Sequence, residues 1–279
     1  AAPQQWNIFY RKRFMYSFLA DMYLFKASTA AAEDDDWERA EYYSSKALSG
    51  SEIEESKSVL RSLFAKDAFD ISPDNSYCAV RLVTTRSNNI GAQYTGIWGK
   101  DNAQQPSAEL WALYSDTDLR KAAWFAEGEE EDLKVTYIAK PAYESDEIGD
   151  LTILYRTAEM YLINCEAKCR MGRTVEAAEM LRAFREKRIE GYDGTIGDNV
   201  LQEVLDERRR ELCFENGIRW LDMKRLGISC TRRGYSDKQT DMETYTLEAN
   251  DYRFALPIPT GIEIDYNNIE QNPGWTTFE

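Results

Sequence analysis

The part of the chain that most constrains its fold is residues 151–227, where apolar residues recur at helical spacing. The first helix predicted there carries a stripe of Leu151, Leu154, Tyr155, Ala158, Leu162, Cys165 and Cys169. Met171 and Gly172 end that helix, and Thr174 is placed to cap a second. The buried stripe predicted for the second helix is Val175, Ala178, Leu181 and Phe184. Because the connection is so short, the two helices must lie antiparallel and share a core.

The beginning of the chain repeats this arrangement. A helix is predicted over residues 6–26 and another over residues 37–48, the second capped by Asp36. The strings YRKRFMY and WERAEYY match YRTAEMY and VEAAEML of the central hairpin, and residues 51–69 add a further helix. Since one helix pair cannot bury its own apolar face, the sequence predicts a mainly α-helical chain whose tetratricopeptide-like pairs stack into a superhelix.

A third helix of the central stretch is predicted with Asp198 as its cap and with Leu201, Leu205 and Leu212 turned inward. It carries the charged run DERRRE at residues 206–211. By spacing alone, such a run is typical of a solvated helix face.

Residues 71–150 differ from the helical parts. Strands are predicted at residues 77–85 and 135–140, and short helices at residues 107–114 and 118–125. Residues 86–105 form a long irregular segment that contains several Asn and Gly residues together with Tyr94 and Trp98. Segments of this length inside a compact domain are more often functional than not.

The C-terminal part is predicted to be extended. Residues 228–250 keep neither a helical nor a strand period, so they are interpreted as a loop with Arg232 and Arg233 exposed. Prolines at positions 257 and 259 exclude a central strand from residues 252–259. Thr260 caps a single turn through Ile264, and the turn at residues 271–275 docks an aromatic side chain on the helical frame.

Charge and composition exclude several functions. The net charge of −15 disfavours nucleic acid and anionic lipid as partners, because both need clustered Lys and Arg. The chain has no histidine, which excludes Ser-His-Asp and Cys-His catalysis, Cys2His2 zinc sites and a histidine pH switch. We therefore predict no catalytic residues and no cofactor.

Two acidic runs, at residues 33–38 and 127–132, are typical of solvated loops or helix starts. Calcium is an open alternative because it prefers carboxylate ligands, but the spacing matches no defined calcium loop, so no metal site is predicted. The five cysteines form no CxxC motif, and Cys165 with Cys169 is interpreted as a pair of small core residues. The apolar run at residues 14–25 is too short to cross a bilayer, and Ala1 does not begin a secretory leader.

Four strings carry a family resemblance. ERRRELCFENGIRWLDMKRLG resembles the pattern near the C-terminal end of SusD/RagB proteins, which are nutrient-binding lipoproteins of the bacterial outer membrane. YRTAEMYLINCEAKCRMG, LPIPTGIEIDYNNIEQNPGW and QQPSAELWALYSDTDLRKAAWF resemble three further pieces of the family, in the family's order, from Gln104 to Trp275. Members are longer than this chain, which looks like the C-terminal part of one or a short variant.

The resemblance implies a single SusD-like domain over residues 1–279. Residues 1–70 and 151–227 would form its helical repeat, residues 71–150 a loop-rich ligand-binding insertion, and residues 228–279 an extended C-terminal closure. The charged and aromatic residues that match the family pattern are expected to be structural, with opposite charges paired where the helix packs on the C-terminal tail. They are Glu207, Arg208, Glu211, Arg219, Trp220, Asp222 and Arg225.

The resemblance also implies a carbohydrate site on the loops outside the repeat. An indole or phenol ring stacks on the apolar face of a sugar while Asn, Gln or Lys bonds its hydroxyls. The leading candidates are Tyr94 and Trp98, with Asn88, Asn89, Gln93 and Lys100 as the polar rim; Trp124 and Tyr143 are further candidates. For each ring the alternative is packing within its own part of the chain.

The implied function is capture of a glycan at the outer face of the outer membrane, without covalent chemistry, and delivery to a SusC-like TonB-dependent transporter. Membrane attachment would come from a lipid anchor that lies outside this chain. The alternatives are a peptide-binding RagB-like protein, a helical-repeat adaptor that binds a protein and no small ligand, and a glycoside hydrolase with two carboxylates. No pair of acidic residues is singled out for the last of these.

Overall fold

The computed structural model describes residues 11–51, 53, 57, 60, 63–64, 78–83, 106–130, 133–138, 140, 151–232, 244–259 and 269–275. Its helices are α1 (Lys12–Ala27), α2 (Asp36–Leu48), α3 (Ala108–Trp111), α4 (Leu119–Trp124), α5 (Thr157–Arg170), α6 (Thr174–Glu186), α7 (Val200–Glu211) and α8 (Ile218–Leu226). Its strands are β1 (Cys78–Val83), β2 (Phe125–Glu130), β3 (Leu133–Ile138), β4 (Leu151–Arg156), β5 (Cys230–Arg232) and β6 (Tyr245–Leu247).

The N-terminal helix pair packs against α5. Small side chains, Ala20 of α1 and Ala40 of α2, are fully buried in a core that also contains Ile163 of α5. Such residues let the helix backbones approach closely. Asn164 of α5 adds a polar bridge, because its side-chain amide donates to Ser44 Oγ over 2.9 Å. The predicted stacking of helix pairs is confirmed. The first helix starts later than predicted, since Arg11 has an extended backbone (φ −80°, ψ 138°).

Helix α5 is buried along most of its length, because α1 and α2 cover one side while α6 and α7 cover another. Leu181 of α6 and Val204 of α7 are fully buried beside Cys165. Two details of the predicted second helix are wrong. Thr174 is its first residue and not its cap, and Val175 is 72% exposed and outside the buried stripe.

Residues 151–156 form strand β4 and not the start of the helix, so the predicted helix was too long. β4 pairs antiparallel with β1, and Arg81 lies opposite Ile153. The Ile and Thr side chains of LTILYR suit a pleated sheet, and a partner strand far away in the sequence decides between the two structures. The predicted strand at residues 77–85 is confirmed over Cys78–Val83, the part of it that the structure describes.

Residues 125–138 contain a β-hairpin. Its second strand, β3, confirms the strand predicted at residues 135–140, while its first strand, β2, is not predicted. β2 and β3 pair antiparallel from Phe125 opposite Ile138 to Glu130 opposite Leu133. Most of the acidic run at residues 127–132 therefore lies in a strand, and the loop or helix start expected there is wrong. A second hairpin, β5 with β6, lies inside residues 228–250, which were predicted to be a loop. Arg232 is exposed as expected, and Arg233 lies outside the described residues.

Caps define the shorter helices. Ser107 Oγ accepts a hydrogen bond from Leu110 N (3.2 Å) at the start of α3, and Asp118 does the same for Arg120 N (2.9 Å) at the start of α4. Helix α7 is capped by Asn199, whose side-chain oxygen accepts from Gln202 N (3.2 Å), and not by Asp198. Gly217 precedes α8 with a positive φ of 68°, a conformation that favours glycine.

The C-terminal segment is held by aromatic contacts. Tyr252–Phe254 forms one turn of 3-10 helix, and Phe254 packs on Trp220 of α8 with ring centroids 4.7 Å apart. Trp275 Nε1 donates to the carbonyl of Ala255 over 2.6 Å. The aromatic docking predicted for residues 271–275 is therefore present, through the segment at 252–255. The turn predicted from Thr260 lies outside the described residues.

The cysteines fit the expected pattern where they are described. Cys165, Cys169, Cys213 and Cys230 are buried free thiols. The first two pack in the core between α5 and α6, as predicted.

Leu181→Ala and Val175→Ala form a matched pair on α6. We expect Leu181→Ala to lower the free energy of unfolding by about 3 kcal/mol, because it leaves a cavity in a packed core. Val175→Ala should change it by less than about 0.5 kcal/mol, since the side chain is exposed. Urea denaturation measures both. Equal losses would contradict the orientation of α6.

Candidate functional site

Most of the predicted ligand-binding residues lie outside the described residues. This holds for Asn88, Asn89, Gln93, Tyr94, Trp98 and Lys100, and also for Tyr143. Their assignment to a ligand stays a prediction. The described structure shows where the ends of that segment attach: β1 ends at Val83, which lies opposite Leu151 of β4, and α3 begins at Ala108.

Trp124 does not face a ligand, and its prediction as a binding residue is wrong. Its side chain is 1% exposed, and its Nε1 donates to the carbonyl of Leu60 over 3.3 Å. The ammonium of Lys140 lies 3.7 Å from the ring centroid, at cation-π distance. Trp124 is the last residue of α4, and burying so large a ring there joins α4 to the hairpin β2–β3.

Four of the six residues in the charged run of α7 are buried, so the solvated helix face is wrong. Glu211 is fully buried and accepts hydrogen bonds from three arginines on three other elements. They are Arg120 Nη1 (3.0 Å) of α4, Arg156 Nη1 (2.9 Å) of β4 and Arg188 Nε (3.0 Å), which follows α6. The charges pair inside the protein, as the resemblance implied, but these partners come from other elements than the C-terminal tail.

Glu207, one turn earlier on α7, is held in the same way. It contacts Arg120 Nη1 (2.7 Å), Arg185 Nε (2.7 Å) and Arg210 Nη2 (2.5 Å). Burial alone would raise the pKa of the Glu207 carboxyl, but these guanidinium groups outweigh it and hold the pKa well below its usual range. A depressed carboxyl pKa stabilises the fold above the unfolded-state pKa and loses that contribution on acidification.

A third acidic group closes the network beside α7. Glu215 accepts from Lys140 Nζ (2.5 Å) and from Arg156 Nε (2.8 Å). Lys140 also donates to the carbonyl of Glu211 over 2.7 Å. Residue 140 and β4 are thus attached to the turn between α7 and α8.

Glu211→Gln should lower the free energy of unfolding by about 3 to 5 kcal/mol, because it leaves buried guanidinium groups without their counter-charge. The matched control is Glu186→Gln, an exposed residue of α6, which should be nearly neutral. Urea denaturation at pH 7 compares the two. A loss for Glu211→Gln no larger than the control's would refute the structural importance of the network.

A cavity of about 780 Å³ lies between α1, β4, α5 and α8. Its walls are apolar: Phe14, Phe18, Met22, Phe25, Leu154, Tyr155, Ile218 and Leu221. Phe18, Met22 and Leu221 are exposed at its mouth, at 39%, 52% and 43%. We call this cavity the α1–α8 pocket. Its sequence signal is Asp21, a carboxylate within the apolar run at residues 14–25.

Charged groups form the floor of the α1–α8 pocket. Arg208 Nε donates to Asp222 Oδ2 (3.0 Å), and its Nη2 contacts Glu159 Oε1 at 3.4 Å. Arg208 is 3% exposed, and its Nη1 is buried without a hydrogen-bond partner among the described residues. Arg225 Nε donates to Asp222 Oδ1 (2.7 Å). Asp21 makes no hydrogen bond or ion pair within the part of the chain that the structure describes.

The carboxyls of Asp21 and Glu159 hold their protons unusually well. Burial raises the pKa of Glu159 to about 8, since the attraction of Arg208 offsets it only in part and Asp21 adds to the shift. Burial also raises the pKa of Asp21, opposed by Arg208 and reinforced by Asp222. Both carboxyls therefore keep their protons to a higher pH than exposed carboxyls do.

Because the pKa of Glu159 is raised, the folded state binds its proton more tightly than the unfolded state. The stability from this group is therefore lost as pH rises. We expect the free energy of unfolding to fall by roughly 2 to 4 kcal/mol between about pH 5 and pH 8 through this group. Glu159→Gln should flatten that dependence in urea titrations. An unchanged slope would show that Glu159 titrates normally.

The first acidic run brings Glu33, Asp35 and Asp36 close enough to share one ion. Two side-chain cations already contact these carboxylates. Lys26 Nζ lies 2.7 Å from Glu33 and 3.0 Å from Asp36, and Arg39 Nη2 lies 2.6 Å from Asp35. Calcium would have to displace Lys26, so the geometry gives no support to a metal site.

Comparison with known proteins identifies the family. The model of the SusD family matches residues 133–275, just over half of the chain. The SusD-like protein P38 of Formosa agariphila is 35% identical over a 132-residue alignment that covers 43% of this chain and 26% of that protein.

Solved structures share the fold. A SusD superfamily protein from Bacteroides vulgatus matches with a TM-score of 0.71 at 22% identity, over 94% of this chain and 59% of that chain. A SusD-like carbohydrate binding protein from the same species matches with a TM-score of 0.62 at 18% identity, over 92% and 58%. This chain therefore spans about three fifths of the length of these two relatives.

Within the described residues, no helix has the length and apolar character needed to span a bilayer. The tetratricopeptide-like helix pairs, the match of the family model over residues 133–275 and the shared fold agree with one another. The chain belongs to the SusD family.

Proposed function

We propose that the protein binds a glycan at the cell surface and passes it, chemically unchanged, to a SusC-like TonB-dependent transporter. Family membership is the observation that carries this proposal, and a family relative of the same fold is described as a carbohydrate binding protein. The location proposed is the outer face of the outer membrane, with attachment through a lipid anchor outside this chain.

The proposed glycan site is the segment at residues 86–105. Tyr94 and Trp98 would stack on the apolar faces of sugar rings, and Asn88, Asn89, Gln93 and Lys100 would bond the hydroxyls. The described structure supports this placement through its anchors. β1 leads into the segment and is paired with β4, while α3 follows it and buries Leu110 in the core beside Trp124.

The α1–α8 pocket is a poorer glycan site. Its polar groups are concentrated at the floor, its walls are apolar, and Asn216 is the one amide among its lining residues. A sugar placed there would turn many of its hydroxyls toward the apolar walls, and each hydroxyl left without a hydrogen-bond partner costs about 1 to 3 kcal/mol. This comparison favours the aromatic segment for the glycan.

Isothermal titration calorimetry against a panel of oligosaccharides and polysaccharides tests the proposal. For a glycan that binds, Trp98→Ala and Tyr94→Ala should each weaken affinity by about tenfold or more, because one stacked ring contributes roughly 1 to 3 kcal/mol. Tyr42→Ala is the matched control, since this ring on α2 is 54% exposed and remote in sequence from the segment.

Two results would oppose the proposal. If both Trp98→Ala and Tyr94→Ala bind the glycan with unchanged affinity, the assignment of the site to this segment is wrong. If the protein binds peptides and none of the glycans on the panel, the ligand is a peptide and not a glycan. Chromatography of the recovered oligosaccharide should show it intact, as expected for a binding protein.

A further inference from the structure

We propose that the α1–α8 pocket is a second binding site, which takes a small organic cation with an apolar body. An ammonium group of the ligand would lie against the carboxylates of Asp21 and Glu159, and its hydrocarbon part against the phenyl rings of α1. This site shares no residue with the proposed glycan segment and does not depend on the protein's binding a glycan.

Charge favours a cation. Two guanidinium groups, Arg208 and Arg225, line the pocket together with three carboxyl groups: Asp21 of α1, Glu159 of α5 and Asp222 of α8. When all three carboxyls are ionised, they carry one negative charge more than the two guanidinium groups balance. Glu166 lies outside the lining and has Arg170 at 3.3 Å as well as Arg225. Lys26 also lines the pocket, but its ammonium already binds Glu33 and Asp36. The nearby Arg156 binds Glu211 and Glu215.

Geometry identifies the carboxylates that are free for a ligand. Asp222 is bound by Arg208 and Arg225, and Glu166 receives both terminal nitrogens of Arg225 at 2.8 Å. Asp21 has no such partner among the described residues, and Glu159 has one long contact, at 3.4 Å, with Arg208. A ligand ammonium would supply the missing donors to this pair.

Arg208 is the second, independent sign of a ligand. Its guanidinium is almost fully buried at the pocket floor, and Nη1 has no acceptor in the part of the chain that the structure describes. Because an unpaired buried charged donor costs free energy, a ligand group that accepts a hydrogen bond from Nη1 would bind more tightly. A hydroxyl next to the ammonium meets this requirement, which makes an amino alcohol with an aromatic body the best-matched class.

The walls and the size of the pocket fit the rest of such a molecule. Phe14 and Tyr155 pack together with ring centroids 5.7 Å apart, and Phe18 and Met22 continue the apolar surface to the mouth. A cavity of about 780 Å³ lies within the ordinary range for small-ligand sites. Burying one phenyl ring against this surface supplies the hydrophobic part of the affinity.

Calorimetry on the full chain at pH 8 tests the proposal with four probes of similar size. They are phenylalaninol (cation with hydroxyl), phenethylamine (cation), 2-phenylethanol (neutral) and 3-phenylpropanoate (anion). We expect affinity to fall in that order, with the two amines at least about tenfold tighter than the alcohol, because only they offer a counter-charge. Amine affinity should rise from pH 6 to pH 8 as the acid pair gives up its proton.

Variants complete the test. Asp21→Asn and Glu159→Gln should each weaken phenylalaninol binding by about tenfold, while Glu179→Gln, an exposed carboxyl of α6, should leave it unchanged. Met22→Lys places a positive charge at the exposed mouth, where it should repel a cationic ligand without altering the core. This variant replaces Asp21→Asn and Glu159→Gln if those two do not fold.

Three outcomes would overturn the proposal: binding of the anion or the alcohol as tightly as the amines, full affinity in Asp21→Asn or Met22→Lys, or no binding of any probe at millimolar concentration. Trp98→Ala should leave amine binding intact, which separates this result from failure of the glycan site.

Discussion

The structure depends on the cost of burying Glu211. A carboxylate removed from water must be compensated by close cations, and here three guanidinium groups from α4, β4 and the end of α6 supply that compensation. Because these elements are far apart in sequence, the one carboxylate fixes their positions relative to α7. Apolar side chains alone would tolerate small shifts between helices, whereas a bidentate ion pair accepts few geometries. The charged groups thus define the register of a core that the helix pairs fill.

Helical periodicity in the sequence correctly indicates the stacked pairs and the burial of Leu181 and Phe184. It cannot decide residues 151–156, because their strand exists only through pairing with β1, about 70 positions earlier. The run DERRRE has the same spacing whether solvated or buried, and the distant arginines that decide the matter leave no local pattern. The burial of Trp124 follows from tertiary packing, which a helix as short as α4 does not reveal. Family motifs, read from the sequence, supplied what local patterns did not.

The two candidate sites differ in how well they can be predicted from the sequence. Tyr94 and Trp98 are indicated by composition within a long irregular segment, and they remain a prediction. The α1–α8 pocket can be recognised only in the folded structure, because its floor brings together residues from four helices: Asp21, Glu159, Arg208 and Asp222. One signal was visible beforehand: an acidic residue interrupts an otherwise apolar stretch of α1. Such an interruption has to be compensated by other charges, and in this protein the compensation is incomplete.

The pairing of β1 with β4 also bears on how this protein can diversify. Residues 86–105 follow β1, which is paired with β4, and precede α3, whose Leu110 is buried in the core, so both ends of this segment are held by the scaffold. Once such ends are joined, doubling the intervening length costs only about 0.6 kcal/mol in closure entropy. Insertions and deletions there leave the superhelix untouched. Proteins that share this scaffold can therefore change the sequence and length of the binding segment with little loss in the free energy of unfolding.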